Sequence, residues 1–261
     1  RYFRNYYIVP MGAAIWSAPE IVLEQFPIRF FLQFFNNHGM LSVDDRPTWR
    51  VITGGSAEYV KKMMERIGDR THLNSPVSSV RRHENGVAVE VNGQSHDFDQ
   101  VILACHSDQA LAMLADPTDQ ERDVLGAIAY QNNDVVLHTD SRLLPSNRRA
   151  WAAWNYFIPQ HSTQPVSVTY NMNILQNFHD AQETFCVTLN RSQDIDPDKV
   201  IKHFEYAHPV FTLEAVAAQQ RYGEIGNRNR THFCGAYWFN GFHEDGVRSA
   251  VRVLGDFGME I

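Results

Sequence analysis

The sequence predicts a mixed α/β fold, of the α+β kind, in which two domains interleave. Three observations support this prediction. Helix-like and strand-like patterns alternate along the 261 residues. Residues 133–188 form a strand-rich stretch divided by turn-forming residues, which favours an antiparallel sheet. Pieces of each type return after long excursions, which fits two interleaved domains better than two consecutive ones.

The composition predicts a globular protein and excludes some partners. Hydrophobic residues make up 44% of the chain, which is enough for a packed core. The formal charge of -7 and the lack of a basic stripe exclude a nucleic-acid partner. The three cysteines, Cys105, Cys186 and Cys234, lie far apart, so they predict neither a zinc site nor a disulfide framework but a reduced, cytoplasmic compartment.

The opening residues predict aromatic helices in a chain that begins within a domain. Arg1 stands where Met would begin a complete protein, so we expect upstream residues to be missing. Residues 14–38 carry apolar positions at helical spacing, interrupted by Pro19 and Pro27. These helices are interpreted as core, or alternatively as the wall of an apolar substrate cavity. A further alternative is membrane association through the four aromatic side chains Phe30, Phe31, Phe34 and Phe35.

Residues 49–60 change from an extended run to a glycine pair and then to a helical pattern. Gly54 and Gly55 permit close approach to the backbone, and the following helix start could hold an anion. An ordinary tight turn is the alternative. Further along, short strands are predicted at 77–82, 86–91 and 98–104, followed by a helix that Pro117 ends.

The second half of the chain is predicted to begin with strands and end with a helix. Strands are expected at 135–139, 151–158, 166–172 and 184–189, and a helix at 197–206. The last part contains an extended segment at 233–239, a glycine-containing turn and a helix that includes Val247. Gly241 and Gly246 allow a ligand to come close, and a helix start of this kind can receive a pyrophosphate. A simple helix cap is the alternative.

Residues 234–250 resemble the closing motif of the flavin-containing amine oxidase superfamily, although Ala250 stands where glycine is commonest. In that family a glycine-containing turn crosses the flavin, and the next helix start faces the FAD pyrophosphate and ribityl chain. Residues 49–59, 74–80 and 98–104 resemble further FAD-domain segments in the right order. A bacterial group of NAD/FAD-binding oxidoreductases is similar at 136–140, 144–145 and 151–156.

The resemblance implies the remainder of a two-domain FAD-dependent oxidoreductase fold. Its FAD-domain portions would be residues 49–106 and 229–261, interleaved with a substrate domain of mixed antiparallel sheet plus helices at 1–48 and 107–228. The implied cofactor-binding residues are Gly54, Gly55, Val77, Ala104, Gly241, Glu244, Asp245, Gly246 and Val247. The implied substrate-lining residues are Trp154, Tyr156, Asn171, Tyr237 and Trp238.

Other kinds of site are not predicted. His203 and His208 are five residues apart, which does not suit two metal ligands on one helix face, so no metal site is predicted. No G-x-S-x-G elbow suggests a hydrolase. All four lysines, Lys61, Lys62, Lys199 and Lys202, are expected on surface helices, which weakens the case for amine oxidation. No individual residue is assigned a catalytic role.

The function implied by the resemblance is that of an FAD-dependent oxidoreductase. It would oxidise, desaturate or isomerise an apolar or amine small molecule, with lipid-like substrates among the candidates. Because none of the 15 glycines forms a G-x-G-x-x-G motif, we expect FAD in the full-length parent and an inactive fragment here. The alternative is a non-catalytic binding or scaffold protein.

Overall fold

A computed structural model describes residues 2–17, 23, 26–42, 44, 48, 50–158 and 167–259. Residues 18–22, Trp49 and Val166, which some of the predictions include, lie outside these ranges. The α-helices are α1 (Val9–Trp16), α2 (Ile28–Asn37), α3 (Ala57–Ile67), α4 (Ser107–Met113), α5 (Asp119–Gly126), α6 (Met172–Leu175), α7 (Leu213–Gln219), α8 (Tyr222–Ile225) and α9 (His243–Asp256). The strands are β1 (Val77–His83), β2 (Gly86–Val91), β3 (Gln94–Phe98), β4 (Val101–Leu103), β5 (Tyr130–His138), β6 (Trp154–Phe157), β7 (Ser167–Asn171), β8 (Cys186–Leu189), β9 (Val200–Pro209) and β10 (Thr231–Phe233).

The chain divides into two compact units that alternate along the sequence. The first unit contains Arg1–Glu24, Phe31–Thr71 and Gln131–His208, and the second contains Gln25–Phe30, His72–Tyr130 and Pro209–Ile261. The changes between the long pieces thus fall after residues 71, 130 and 208, whereas the predicted domain changes fall after 48, 106 and 228. The assignment of these predicted pieces to an FAD domain and a substrate domain stays a prediction.

The first unit is built on a five-stranded sheet in the order β6-β7-β8-β5-β9. The pairs β6–β7, β7–β8 and β8–β5 are antiparallel. The fold class predicted from the sequence, mixed helices with an antiparallel sheet, is confirmed. Helix α1 packs on this sheet because its small residues Ala13 and Ala14 allow close approach to Val168.

The aromatic residues between Trp16 and Phe35 are largely buried, whereas Tyr2, Phe3, Tyr6 and Tyr7 are exposed. In the first unit, Phe34 is 2% exposed and its ring lies 4.9 Å from that of Trp16. Phe31 and Phe35 are also buried and stack on each other. In the second unit, Phe30 stacks on Phe211 with ring centroids 4.9 Å apart. Burial of these rings agrees with the core interpretation of the opening helices.

The second unit contains a three-stranded antiparallel sheet, β1-β2-β3, and a parallel pair, β10-β4. One apolar core joins them. Its fully or largely buried members are Val80, Val87, Val89, Leu103, Ala110, Leu114, Val124, Leu125, Ile128, Ala215, Ala218, Ile225, Phe233, Tyr237 and Trp238.

A buried ion pair connects β1 to α5 in this unit. The Arg82 guanidinium donates from Nη1 and Nη2 to the two Glu121 carboxylate oxygens, each at 2.9 Å. The exposed fractions of the two side chains are 5% and 1%. Arg82 Nε also donates to Asp116 at 2.9 Å, and Thr118 N–H donates to Glu121 at 2.8 Å. This bidentate pairing satisfies charges that would be costly to bury alone.

The predicted helix at 197–206 is wrong. A short 3-10 turn, Pro197–Lys199, leads into the long strand β9 instead. The β-branched Val200 and Ile201 favour an extended backbone, and β9 lies beside β5 at the edge of the sheet. Lys199 therefore ends the 3-10 turn, and β9 contains Lys202, His203 and His208.

Two of the predicted extended runs are interrupted or end early, and a helix that was not predicted, α6, follows β7. The extended run at 98–104 is interrupted, because β3 ends at Phe98 and β4 begins at Val101 in a different sheet. The segment at 233–239 becomes a 3-10 turn, Ala236–Trp238, after β10 ends. Asn171 ends β7, so Asn173 lies on α6 and does not share a strand face with it.

Candidate functional site

A cleft in the first unit contains one of the predicted cofactor-binding residues. Its volume is about 760 Å³, within the usual range for small-molecule sites. Gly54 and its neighbours form one wall, and the residues that follow Asn173 form the other. The lining residues are Thr48, Arg50, Val51, Thr53, Gly54, Ala153, Ile174, Leu175, Gln176, Asn177 and Phe178.

The glycine wall is a tight turn that leads into α3. The Gly55 N–H donates to the Ile52 carbonyl at 2.8 Å, which closes the turn. Gly54 and Gly55 have φ angles of 83° and 87°, a region that side chains other than glycine rarely occupy. The glycine pair is therefore required by the backbone conformation, and it leaves the cleft wall at Gly54 without a side chain.

The opposite wall is held by asparagine side chains. Asn171 Oδ1 accepts from the N–H groups of Asn173 and Ile174, which caps α6. Asn173 Nδ2 donates to the Glu183 carbonyl at 2.8 Å. The Phe178 N–H donates to the Asn173 carbonyl at 2.9 Å. Asn171 is buried and does not line the cleft, but it fixes the start of the wall; its contact with substrate stays a prediction.

Trp154 and Tyr156 lie on β6, opposite Tyr170 and Val168 of β7. Both are half-buried and pack in the cluster that α1 covers. Neither is among the cleft-lining residues, although Ala153, next to Trp154, is one of them. Their predicted contact with a substrate also stays a prediction.

A buried hydrogen-bond network crosses the sheet of the first unit. His138 Nδ1 accepts from the Asp140 N–H at 3.0 Å, so Nε2 carries the proton and donates to Thr188 Oγ1 at 2.7 Å. Thr188 Oγ1 lies 2.9 Å from Thr169 Oγ1. Burial lowers the pKa of His138 below its ordinary value. The sequence pattern predicted no role for His138, because its partner Thr188 lies on a strand that is distant in the chain.

Asp140 anchors the turn after β5. Its carboxylate accepts from Arg142 Nη2 at 2.6 Å and from the Asp196 N–H at 3.0 Å. The hydrogen bond from the Arg142 guanidinium is the main reason why the pKa of Asp140 lies far below its usual range. The Asp140 carboxylate therefore fixes the turn after β5.

In the second unit, several predicted cofactor-binding residues lie around the parallel strand pair and α9. Strands β4 and β10 pair from Val101 with Thr231 to Leu103 with Phe233. Ala104 follows β4 directly and is exposed, at the carboxyl end of the strand pair, where ligands bind in parallel sheets. Val77 is half-buried at the start of β1.

The turn before α9 is fixed by a glycine and a carboxylate. Gly241 has a φ angle of 91°, and a Cβ there would come within 3.3 Å of the Phe211 ring. Asp245 Oδ2 accepts from the N–H groups of Asn240 and Phe242 at 3.1 and 3.0 Å. Asp245 is therefore a capping residue. Its predicted contact with the cofactor stays a prediction.

The remaining predicted residues of α9 face open space. No heavy atom lies within 4 Å of the position that a Gly246 Cβ would occupy. Glu244 and Val247 are exposed. These positions are accessible to a ligand at the helix start.

Tyr237 and Trp238 are core residues, with exposed fractions of 3% and 1%. Gln219 Nε2 donates to the carbonyls of Tyr237 and Phe239 at 2.8 and 2.6 Å, which holds the 3-10 turn. Burial raises the pKa of Tyr237 well above its ordinary value. The guanidinium of Arg252 lies 3.4 Å from the ring centre of Tyr222, next to Trp238. The lining role of Tyr237 and Trp238 stays a prediction.

In the second unit, the start of α9 fits one part of FAD better than another. Gly246 presents backbone with open space at its side-chain position, which suits a planar flavin ring or a ribityl chain. At the start of α9, however, the carboxylates of Glu244 and Asp245 oppose a negatively charged diphosphate. The residues present therefore fit the neutral flavin and ribityl portions better than the diphosphate.

The sequence profile of the family described as flavin containing amine oxidoreductase matches residues 9–184. The chain belongs to the flavin-containing amine oxidoreductase family. This match confirms the resemblance stated from the sequence and supports an oxidoreductase with a flavin cofactor. No match was found among the curated proteins.

Solved structures of FAD oxidoreductase type share the fold of this family member. A CLA-producing fatty acid isomerase from P. acnes is 14% identical, with a TM-score of 0.67 over 98% of this chain and 63% of that one. Cyclohexylamine oxidase from Brevibacterium oxydans IH-35A is 10% identical, with a TM-score of 0.63 over 97% and 64%. A reduced UDP-galactopyranose mutase is 14% identical, with a TM-score of 0.64 over 97% and 65%. The chain thus spans less than two thirds of the length of each.

The described residues form neither a metal-binding cluster nor a membrane-spanning helix. Within the described ranges, no three His, Cys, Asp or Glu side chains gather closely enough to hold a metal ion. Each helix in the described part of the chain is too short or too polar to cross a bilayer.

Proposed function

We propose that this chain forms part of an FAD-dependent oxidoreductase that oxidises, desaturates or isomerises an apolar or amine small molecule. The observation that carries the proposal is the family match over residues 9–184. The structurally similar proteins include a fatty acid isomerase and a cyclohexylamine oxidase, so both apolar and amine substrates are represented among them. The reaction is proposed to take place at the cleft that Gly54 lines.

FAD, when bound, supplies the ring that accepts and returns electrons. The cleft lining contains no carboxylate, imidazole, thiol or lysine among the described residues, so it offers no general acid or base of that kind. The apolar side chains of Ile174, Leu175 and Phe178 would instead orient the substrate and exclude water. Gly54 would let the reacting atoms approach the backbone closely.

We propose that stable FAD binding requires a diphosphate-binding segment that these 261 residues do not supply. The chain contains no G-x-G-x-x-G motif, whose glycines hold the diphosphate in dinucleotide-binding folds. On its own the chain is therefore proposed to bind FAD weakly and to be inactive.

A glycine substitution tests the flavin assignment in the protein expressed from its whole natural coding sequence. Gly54→Ala forces a side chain into a backbone region with φ of 83°, on the cleft wall. Gly93→Ala creates a similar strain, at φ of 77°, in the hairpin between β2 and β3. We expect both variants to lose comparable thermal stability, and only Gly54→Ala to lose bound flavin, measured by visible absorbance after FAD is supplied.

Two outcomes would count against the proposal. If both variants retained equal flavin content, Gly54 would have no part in the flavin site. If the unmodified protein showed no flavin absorbance after addition of FAD, the non-catalytic scaffold interpretation would replace an oxidoreductase function.

A further inference from the structure

The cleft of the first unit carries a single charged side chain among its lining residues. That residue is Arg50, and it is exposed. It forms no ion pair with any other described residue. An arginine guanidinium keeps its charge at every physiological pH and matches the planar shape of a carboxylate. The cleft therefore offers a fixed positive charge that has no ion-pair partner among the described residues.

The rest of the lining is apolar at several exposed positions. Val51, Ile174 and Phe178 are 40%, 44% and 45% exposed, although each is a large hydrophobic residue. They lie on the two facing walls of the cleft. Burial of such side chains under an apolar ligand is favourable in proportion to the area removed from water.

The carboxylate beside the glycine turn does not cancel the positive charge. Glu58 lies beside the glycine turn, but its Oε1 accepts from Lys61 Nζ at 2.6 Å. The pair is neutral as a whole and is not part of the cleft lining. The other polar lining residues, such as Thr53 and Gln176, are uncharged. A cationic ligand would thus meet repulsion from Arg50 and no compensating anion in the lining.

We propose that the substrate bound in this cleft is an amphiphile with an anionic carboxylate head and an apolar tail. The head pairs with the Arg50 guanidinium, and the tail covers Val51, Ile174 and Phe178. This inference rests on the proposed function for the choice of the cleft as the reaction site. It narrows the substrate class, since it disfavours the cationic amines that the family description would suggest.

Matched twelve-carbon ligands test the proposal. Dodecanoate, dodecanol and dodecylamine share one tail and differ in the charge of the head. Binding to the full-length protein is measured below the micelle concentration by displacement of a fluorescent long-chain carboxylate. We expect dodecanoate to bind most tightly and dodecylamine most weakly. Shortening the acid by one methylene should weaken binding by about fourfold, the loss that corresponds to one buried CH₂.

The Arg50→Gln variant isolates the head group. Loss of a charged hydrogen bond predicts that dodecanoate binds about tenfold more weakly or worse, while dodecanol is unchanged within about twofold. Arg50 forms no hydrogen bond or ion pair with another described residue and is exposed, so the variant should remain folded. Arg66→Gln, on the last turn of α3 and away from the cleft lining, is the matched control and should leave both affinities unchanged.

The inference is overturned if dodecylamine binds as tightly as dodecanoate, or if Arg50→Gln and Arg66→Gln have equal effects. Flavin absorbance is recorded on the same samples. A protein that binds flavin but prefers the amine would refute the carboxylate assignment alone. A protein that binds dodecanoate through Arg50 but never takes up flavin would refute the proposed oxidoreductase function alone.

Discussion

At the scale of single residues, the buried polar side chains divide into those that fix the backbone and those whose charge state the fold controls. Asp140 and Asp245 belong to the first group, since each carboxylate accepts two backbone N–H groups. His138 belongs to the second, because its ring is fully buried between Asp140 and Thr188 and both nitrogens are occupied. Protonation of Nδ1 would break its bond from the Asp140 N–H.

His138 predicts a pH dependence of stability. Its folded pKa lies below the ordinary value of 6.5 because of burial, so the unfolded state binds a proton first as the pH falls. The stabilisation is complete above about pH 6.5 and is lost as the pH falls toward the folded pKa. We expect the thermal midpoint of the protein to fall more between about pH 8 and pH 5.5 than that of His138→Gln.

The prediction is tested by the difference between the midpoint declines of the unmodified protein and of His138→Gln. The decline of the unmodified protein alone does not test it. The other histidines are the same in both proteins, so their contribution cancels in the comparison. Equal declines in the midpoint would show that His138 does not set the pH dependence.

At the scale of elements, the buried ion pair of Arg82 and Glu121 between β1 and α5 is the contact whose loss should lower the free energy of unfolding most. Glu121→Ala leaves the Arg82 guanidinium, which is 5% exposed, with Asp116 as its remaining carboxylate. Breaking one partner of a buried pair typically costs about 3 kcal/mol or more in the free energy of unfolding. Urea denaturation measures this loss.

Asp123→Ala is the matched control for that prediction. Asp123 is on the same helix, and its partner Arg221 pairs with it on the surface at 2.6 Å. Exposed pairs contribute little. A loss for Asp123→Ala as large as that for Glu121→Ala would contradict the importance given to burial.

The elements also show what the sequence could predict. Helices α3 and α9 were predicted because their apolar residues repeat at helical spacing and each start follows a glycine turn. Strand β9 was missed because its conformation depends on pairing with β5, a non-local contact that a local pattern does not contain. At Gly54 and Gly55 the structure has the tight turn that the sequence offered as an alternative to a ligand-binding segment. The second wall of the cleft was not predicted, because Ile174–Phe178 and Gly54 line one cleft only in the folded chain.

At the scale of the whole molecule, the two units are interleaved and neither is a continuous segment. Each is assembled from three pieces of the chain. The last piece of the second unit supplies α7, Phe233 and Trp238 to its core. A cut between pieces would therefore not release an intact domain.

Truncation tests this organisation. Removal of residues 209–261 takes β10 away from β4 and exposes apolar core residues such as Leu103 and Leu125. We expect the shortened chain to lose cooperative thermal unfolding and to bind a hydrophobic dye. A cooperative transition close to that of the uncut chain would show that the second unit does not depend on its last piece.

The parallel pair of β4 and β10 also has a consequence for the order of events during folding. It joins Val101–Leu103 to Thr231–Phe233, so more than a hundred intervening residues must be made before the pair can close. Contacts of such high sequence separation slow folding, because chain entropy is lost before the contact forms. At synthesis rates of about 5–20 residues per second, β4 leaves the ribosome several seconds before its partner. During that interval the nascent second unit exposes an unpaired strand edge, and that period is when it would depend most on chaperones.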